Sequence, residues 1–253
     1  MASLQTQMLF PTNLVGAPGP LPRGAKQIET LSAEGTTLRG VHIAARGSAG
    51  DGTLVLGFGG NAWNGSDVAA FLHELYPQAD VVAFHYRGYK PSLGKPSAEA
   101  LIADAPLVHD FAVRLVKPRR VIAAGFSIGS GVAASLAARR ELDGLILVTP
   151  FDSLKAAAAD LYPWLPIGPF FQHEIDAAAY LKDVSVPVAL LAGERDSLIR
   201  PARTAALRSK VKNVVFDFAA PGAGHNDIYP RSDFQRALRD ALAAISNNNQ
   251  KRK

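Results

Sequence analysis

The chain of 253 residues contains no cysteine. That excludes disulfides, thiolate nucleophiles and cysteine-ligated zinc. It leaves the compartment open, because a cysteine-free chain suits reducing and oxidising surroundings alike. Long apolar runs are also missing. No stretch approaches the roughly 18 uninterrupted apolar residues of a transmembrane helix, and the N-terminus has neither the basic segment nor the apolar run of a signal peptide. A soluble, cytoplasmic protein without an integral membrane segment is expected. Excess charge is scarce as well. Of the net +5, three charges belong to Lys251, Arg252 and Lys253, leaving +2 on the body, too little for a nucleic-acid footprint. Arg200, Arg203, Arg208, Lys210 and Lys212 form a basic stretch whose helical spacing predicts a solvated face. What remains is 48% hydrophobic and 19% charged, the balance of a globular chain able to bury a real core.

Residues 1–25 are rich in proline and glycine and predict an irregular arm; Ser246 onward predicts a disordered basic tail (247–253). Between them, 26–246 reads as one domain. Gln27 to Leu31 and Thr37 to Ala45 resemble a hairpin. From Thr53 the chain alternates apolar runs with helical patterns: strands at 53–58, 80–86, 120–124, 144–148, 186–192 and 213–218. Helices are expected near 66–75, from about 101 to 115, then at 128–138, 201–211 and 233–245. Ser66 or Asp67 can cap the first of these. Pro106 fits the second only if Asp104 is its cap, and otherwise implies a kink. Continuous rather than alternating apolar strands mark a mostly parallel sheet covered on both faces. Residues 151–182 break the rhythm with aromatics among prolines and read as a short insertion.

The chemistry centres on Gly125-Phe126-Ser127-Ile128-Gly129. A buried-type strand enters it and a small-residue helical stretch leaves it, the setting in which Gly-x-Ser-x-Gly forms a nucleophile elbow. A serine nucleophile needs a base within hydrogen-bond reach and an acid behind that base. Of six histidines, only His225 lies in a glycine-rich loop after a final strand. His73 and His109 fall on helices, and His85 ends a strand where core packing is expected. Asp196, after the strand 186–192, is the expected acid, with Asp152 as fallback; Asp227 lies too close to His225 to orient its ring from behind. An oxyanion hole requires backbone N–H groups where charge develops. Ile128, next to the serine, supplies one; Asn61 in the glycine-rich loop after residue 58 is expected to supply the other.

These residues resemble the α/β-hydrolase superfamily, and within it the small-cap bacterial serine hydrolases and the ABHD depalmitoylases. The resemblance is carried, in order along the chain, by Phe58-Gly59-Gly60-Asn61-Ala62, Tyr86-Arg87-Gly88-Tyr89, the Gly125–Gly129 elbow, Thr149-Pro150-Phe151-Asp152-Ser153, Gly193-Glu194-Arg195-Asp196 and Gly224-His225-Asn226-Asp227. It implies an α/β fold with a mostly parallel eight-stranded sheet, helices on both faces and a short cap insertion. It also implies Ser127 as nucleophile, Asp196 as acid, His225 as base, and oxyanion donors at Asn61 and Ile128. Tyr86 to Tyr89 would be structural, shaping the site floor. Two departures stand out. Glycine replaces the family's histidine at position 59, which is expected to loosen the oxyanion loop. No cysteine-rich or apolar anchor is seen, so hydrolysis of palmitoyl-proteins at a membrane is not expected. The predicted activity is cofactor- and metal-free hydrolysis of a small-molecule ester or thioester with a short to medium acyl chain. Trp63, Tyr162, Trp164, Phe170 and Phe171 would wall the pocket. An aminopeptidase-like amide hydrolase and a non-catalytic scaffold are the alternatives.

Overall fold

The computed structural model describes residues 2–47, 50–163, 168 and 171–251. It divides into two compact units, Met1–Ala123 and Ala124–Lys253. The division falls inside a strand, Arg120–Phe126.

The first unit opens with helix α1 (Ala2–Leu9), followed by β1 (Lys26–Leu31), β2 (Thr37–Ile43), β3 (Thr53–Phe58), α2 (Gly65–Leu75), β4 (Asp80–Phe84) and α3 (Ala98–Val116). Its strands lie in the order β1-β2-β4-β3. β1–β2 and β2–β4 are antiparallel, whereas β3–β4 is parallel. β3, apolar after Thr53, is buried along its whole length, while the edge strand β1 stays half exposed. The alternating strand thus sits where one face meets solvent, and the continuous one where neither does.

Three local expectations are corrected here. The arm is not irregular throughout, because Ala2–Leu9 lie before the prolines begin at Pro11 and form a helix. The cap of α2 is Asn64, not Ser66 or Asp67. Its side-chain oxygen accepts from the Asp67 N–H at 2.9 Å, and Asp67 in turn accepts from Gly19 N–H of the arm at 2.8 Å. α3 starts about two turns earlier than Asp104, capped by Ser97, and carries Pro106 inside it. Asp104 is otherwise engaged. Arg87 grips it in a bidentate ion pair, Nε–Oδ2 3.0 Å and Nη2–Oδ1 2.6 Å, and also meets Glu34.

After β5 (Arg120–Phe126), the second unit continues with α4 (Ile128–Ala137), β6 (Gly144–Val148), α5 (Leu154–Leu161), α6 (Ala177–Leu181), β7 (Val188–Gly193), α7 (Pro201–Arg208), β8 (Val214–Ala220) and α8 (Ser232–Lys251). Its strands follow the order β5-β6-β7-β8, and β6–β7 and β7–β8 run parallel. Eight strands in all build a mostly parallel sheet with helices packed on it. The expected disordered tail is instead helical to Lys251. Residues 246–251 hold no glycine or proline to stop α8, and Asn249 donates to the Asp143 carbonyl at 2.7 Å.

The insertion is pinned at both ends. Ser153 and Asp176 form an isolated antiparallel bridge, and Leu154 N–H donates to the Ile175 carbonyl at 3.0 Å. Phe151 and Ile175 beside that bridge are fully buried. A Cβ at Gly131 would sit 2.5 Å from Ile175 Cγ2 and 3.0 Å from Phe151 Cζ. The small residues of α4 therefore admit the base of the insertion. The basic stretch is largely paired: Arg203 with Asp152 (3.4 Å) and Asp160 (3.2 Å), Arg208 with Asp217, and Lys212 with Asp183.

Candidate active site

β5 delivers Phe126 into the core, and α4 begins at Ile128, so the single residue between them must reverse the chain. Ser127 does so at φ 52° and ψ −119°. A non-glycine residue there costs on the order of 1–3 kcal/mol and persists only where its surroundings over-determine it. They do. Ser127 N–H donates to the Val148 carbonyl at 2.9 Å, while its own carbonyl accepts from Ser130 N–H at 2.9 Å and Ser130 Oγ at 2.6 Å. Gly125 has no room for a side chain, since a Cβ would fall 2.3 Å from the Gly129 carbonyl oxygen. The first glycine of the motif is thus required by contact with the last. Ile128 N–H opens α4 and has no acceptor among the described residues, which leaves it available to an anion at a helix N-terminus.

Two loops bring the partners. Asp196 follows β7 and is buried. Its Oδ1 accepts from Leu198 N–H (2.9 Å) and Ile199 N–H (2.8 Å), which leaves Oδ2 for His225 Nδ1 at 2.7 Å. A carboxylate so bonded can only accept, so Nδ1 carries the proton and Nε2 presents its lone pair. Nε2 lies 3.0 Å from Ser127 Oγ. The acid and base loops are also stitched together: Gly222 N–H donates to the Glu194 carboxylate (2.7 Å), and Arg195 N–H to the Ala223 carbonyl (2.8 Å). Asp227 accepts from Gly224 N–H at 2.6 Å, shaping the turn that presents His225. Ser127, His225 and Asp196, 98 and 29 residues apart along the chain, form one hydrogen-bonded line. Such a line can move a proton from a hydroxyl to an imidazole without charging the carboxyl.

Asp152, the fallback acid, is held by Arg203 instead. Sequence reasoning passed over three contributors. Tyr229 packs on Phe126 (centroids 6.1 Å) and Phe234 (5.9 Å) beneath the elbow. Thr149, at φ 47°, turns the chain out of β6 next to the strand end that holds Ser127. Glu194 was noted only as part of a motif, because its partner Gly222 N–H lies 28 residues further along the chain. Of the expected pocket walls, Trp164 and Phe170 lie outside the described residues, and Tyr162 and Phe171 are half-buried. Trp63 belongs to the first unit, tilted against Phe71 at 5.4 Å. Asn61 also lies in the first unit, solvent-exposed on the turn after β3. That turn is not loosened by glycine at 59, since a Cβ there would meet Val68 Cγ2 at 2.8 Å and Trp63 O at 3.1 Å.

His85 is a packing residue, buried at the end of β4. Its Nδ1 accepts from Gly65 N–H at 3.2 Å, so Nε2–H faces Ser66 Oγ at 3.1 Å. Burial lowers it from 6.5 to about 4, against a smaller opposing pull from Asp67. The unfolded chain takes up this proton below 6.5 and the fold only near 4, so the stability is complete above 6.5 and declines between the two values. Urea unfolding should show a loss on the order of 2–3 kcal/mol over that window. His85→Asn should flatten it, and an unchanged acid slope in that variant would assign the loss to other groups.

With the geometry established, comparison places the chain among known proteins. No family model matches it. It is 35% identical over 204 residues to an uncharacterised protein of Mycobacterium tuberculosis, covering 77% of this chain and 70% of that one. It is 30% identical over 203 residues to alpha/beta hydrolase domain-containing protein 17C of Xenopus tropicalis, covering 78% and 64%. The chain spans 51–64% of the length of the domain-containing 17B and 17C relatives it matches. In fold it is similar to an esterase of Pyrococcus furiosus, with TM-score 0.69, 19% identity, and 90% and 95% of the two chains covered. The chain has the α/β-hydrolase fold, which it shares with an alpha-beta hydrolase of Vibrio vulnificus at TM-score 0.73 and 18% identity, with 97% and 92% of the two chains covered. Among the described residues, no helix is long and apolar enough to cross a membrane.

Proposed function

We propose that this chain is a serine hydrolase that cleaves carboxylic esters or thioesters of short to medium acyl groups. The observation that carries the reading is the line from Ser127 Oγ through His225 to Asp196, at 3.0 and 2.7 Å. Ser127 Oγ attacks the acyl carbonyl while His225 Nε2 takes its proton, giving a tetrahedral oxyanion. Collapse expels the alcohol or thiol, which receives that proton, and leaves an acyl-serine. Water, deprotonated by His225, attacks the acyl-serine; the second collapse returns the proton to Ser127 and releases the acid. Ile128 N–H is one donor to the oxyanion, and the family resemblance gives Asn61 N–H as the second. Esters and thioesters need no firm hold on the leaving group, whereas an amide does, and no charged specificity residue was found in the sequence to supply it. The esterase name of the Pyrococcus furiosus neighbour points the same way.

A series of p-nitrophenyl esters (acetate, butyrate, octanoate, palmitate) with Ser127→Ala as control tests the reading. Turnover should peak at acetate to octanoate and fall off at palmitate. A background rate across all four, equal to that of Ser127→Ala, would favour the scaffold. Activity confined to aminoacyl p-nitroanilides would favour the amidase.

A further inference from the structure

Within the second unit, the loop that carries His225 opens on a reverse turn, Ala220-Pro221-Gly222-Ala223, closed by Ala223 N–H on the Ala220 carbonyl at 3.2 Å. Proline is confined to negative φ, whereas Gly222 sits at φ 66°. A negative φ followed by a positive one makes this a type II turn. Types I and II differ in which way the middle peptide faces, and a proline–glycine pair admits both. Here the Pro221–Gly222 peptide turns its N–H toward the acid loop, where the Glu194 carboxylate accepts it at 2.7 Å. With that peptide turned over, the Pro221 carbonyl oxygen would face the carboxylate instead, acceptor against acceptor. Among the described residues the Glu194 carboxylate has no ion-pair partner, and Gly222 N–H has no other acceptor.

The chain beyond the turn is built on this geometry. Arg195 N–H donates to the Ala223 carbonyl at 2.8 Å, and Glu194 N–H to that of Ala220 at 3.0 Å. Gly193 lies against the next two carbonyls, since a Cβ there would come 2.5 Å from Ala223 O and 2.9 Å from Gly224 O. Gly224 N–H is taken by Asp227 Oδ1 at 2.6 Å. His225 follows, and its two ring nitrogens must meet Asp196 and Ser127 together. Only Gly222, Ala223 and Gly224 separate the turned peptide from that imidazole. They have no side chains with which to anchor themselves, and the glycines add backbone freedom that tertiary bonds must restrain. Among the described residues, the Glu194 carboxylate is the one side-chain group of the acid loop that bonds to this backbone.

We propose that Glu194 is a positioning residue: its carboxylate holds the Pro221–Gly222 peptide in the type II form and so keeps His225 at hydrogen-bond distance from Ser127. The inference rests on the serine-hydrolase reading and adds to it the group that keeps the base in place. The test compares Glu194→Ala with Glu194→Gln, whose amide oxygen can accept the same N–H. Each protein is titrated to its end point with an alkyl fluorophosphonate, which counts reactive sites, and p-nitrophenyl butyrate turnover is expressed per titrated site. Glu194→Ala should lower kcat per site by roughly 5–20-fold with KM within about twofold, because a displaced imidazole impairs proton transfer rather than ground-state binding. The rate constant of labelling should fall by a similar factor, since it draws on the same base. Glu194→Gln should bring both back to within about threefold of wild type. A merely structural role would reduce the number of titratable sites and leave kcat per site unchanged. A kcat per site within about twofold of wild type in Glu194→Ala therefore overturns the proposal, and so does a Glu194→Gln variant as slow as Glu194→Ala. A wild type that neither turns over the ester nor takes the label overturns the hydrolase reading, and this inference with it.

Discussion

Ser127→Ala should lower kcat on an activated ester by roughly 10⁵–10⁶-fold, and His225→Ala by a similar factor, with the double variant no worse than either. The non-additivity is the informative part. In the structure the two side chains share one hydrogen bond, and each is useless for acyl transfer without the other. KM should change little, because the hydroxyl contributes to the reacting bond rather than to ground-state binding. A second serine variant separates chemistry from fold. Ser127→Gly should be as inactive as Ser127→Ala, yet more stable than wild type by about 1 kcal/mol, since glycine accepts φ 52° without strain. Chemical denaturation of the two variants checks this. Equal stabilities would mean that the elbow holds no strain at that residue.

Asp196→Asn should cost roughly 10⁴-fold in kcat with the fold intact. The carboxylate accepts three hydrogen bonds, two from backbone N–H groups and one from the imidazole. An amide can keep the backbone bonds through its oxygen, but it then turns its NH₂ toward His225. Nδ1 must accept that bond, the proton moves to Nε2, and the imidazole can no longer take the proton of Ser127. Asp152→Asn, which only disturbs the pair with Arg203, should leave kcat within about twofold. Comparable losses in the two variants would return the role to Asp152.

Much of this arrangement could be read in the sequence because it is written in local terms. Apolar runs of five to seven residues became β3, β5, β6 and β7 within a residue or two. The order Ser127, Asp196, His225 led to three side chains that the structure places within hydrogen-bond reach. Other features depend on partners distant in sequence. Asp104 looked like a helix cap because a proline follows two residues later, but the choice was settled by Arg87, 17 residues upstream. Asn64 won the cap of α2 from Ser66, whose hydroxyl was already committed to His85. The last turn of α8 was misjudged from composition, because polar residues such as Asn249 read as tail until the Asp143 carbonyl is there to receive them. Glycine at 59 suggested looseness where neighbours in fact leave room for nothing larger. The hydroxyls of Tyr86 and Tyr89 show no local pattern at all, since their acceptors lie 27 and 28 residues away.

The most direct measurement is intact-mass analysis after exposure to an alkyl fluorophosphonate, followed by peptide mapping. The account predicts one adduct per chain, carried on Ser127, formed slowly in Asp196→Asn and absent from Ser127→Ala. An unmodified wild-type mass under conditions that label a known serine esterase, or an adduct that survives Ser127→Ala, would contradict it.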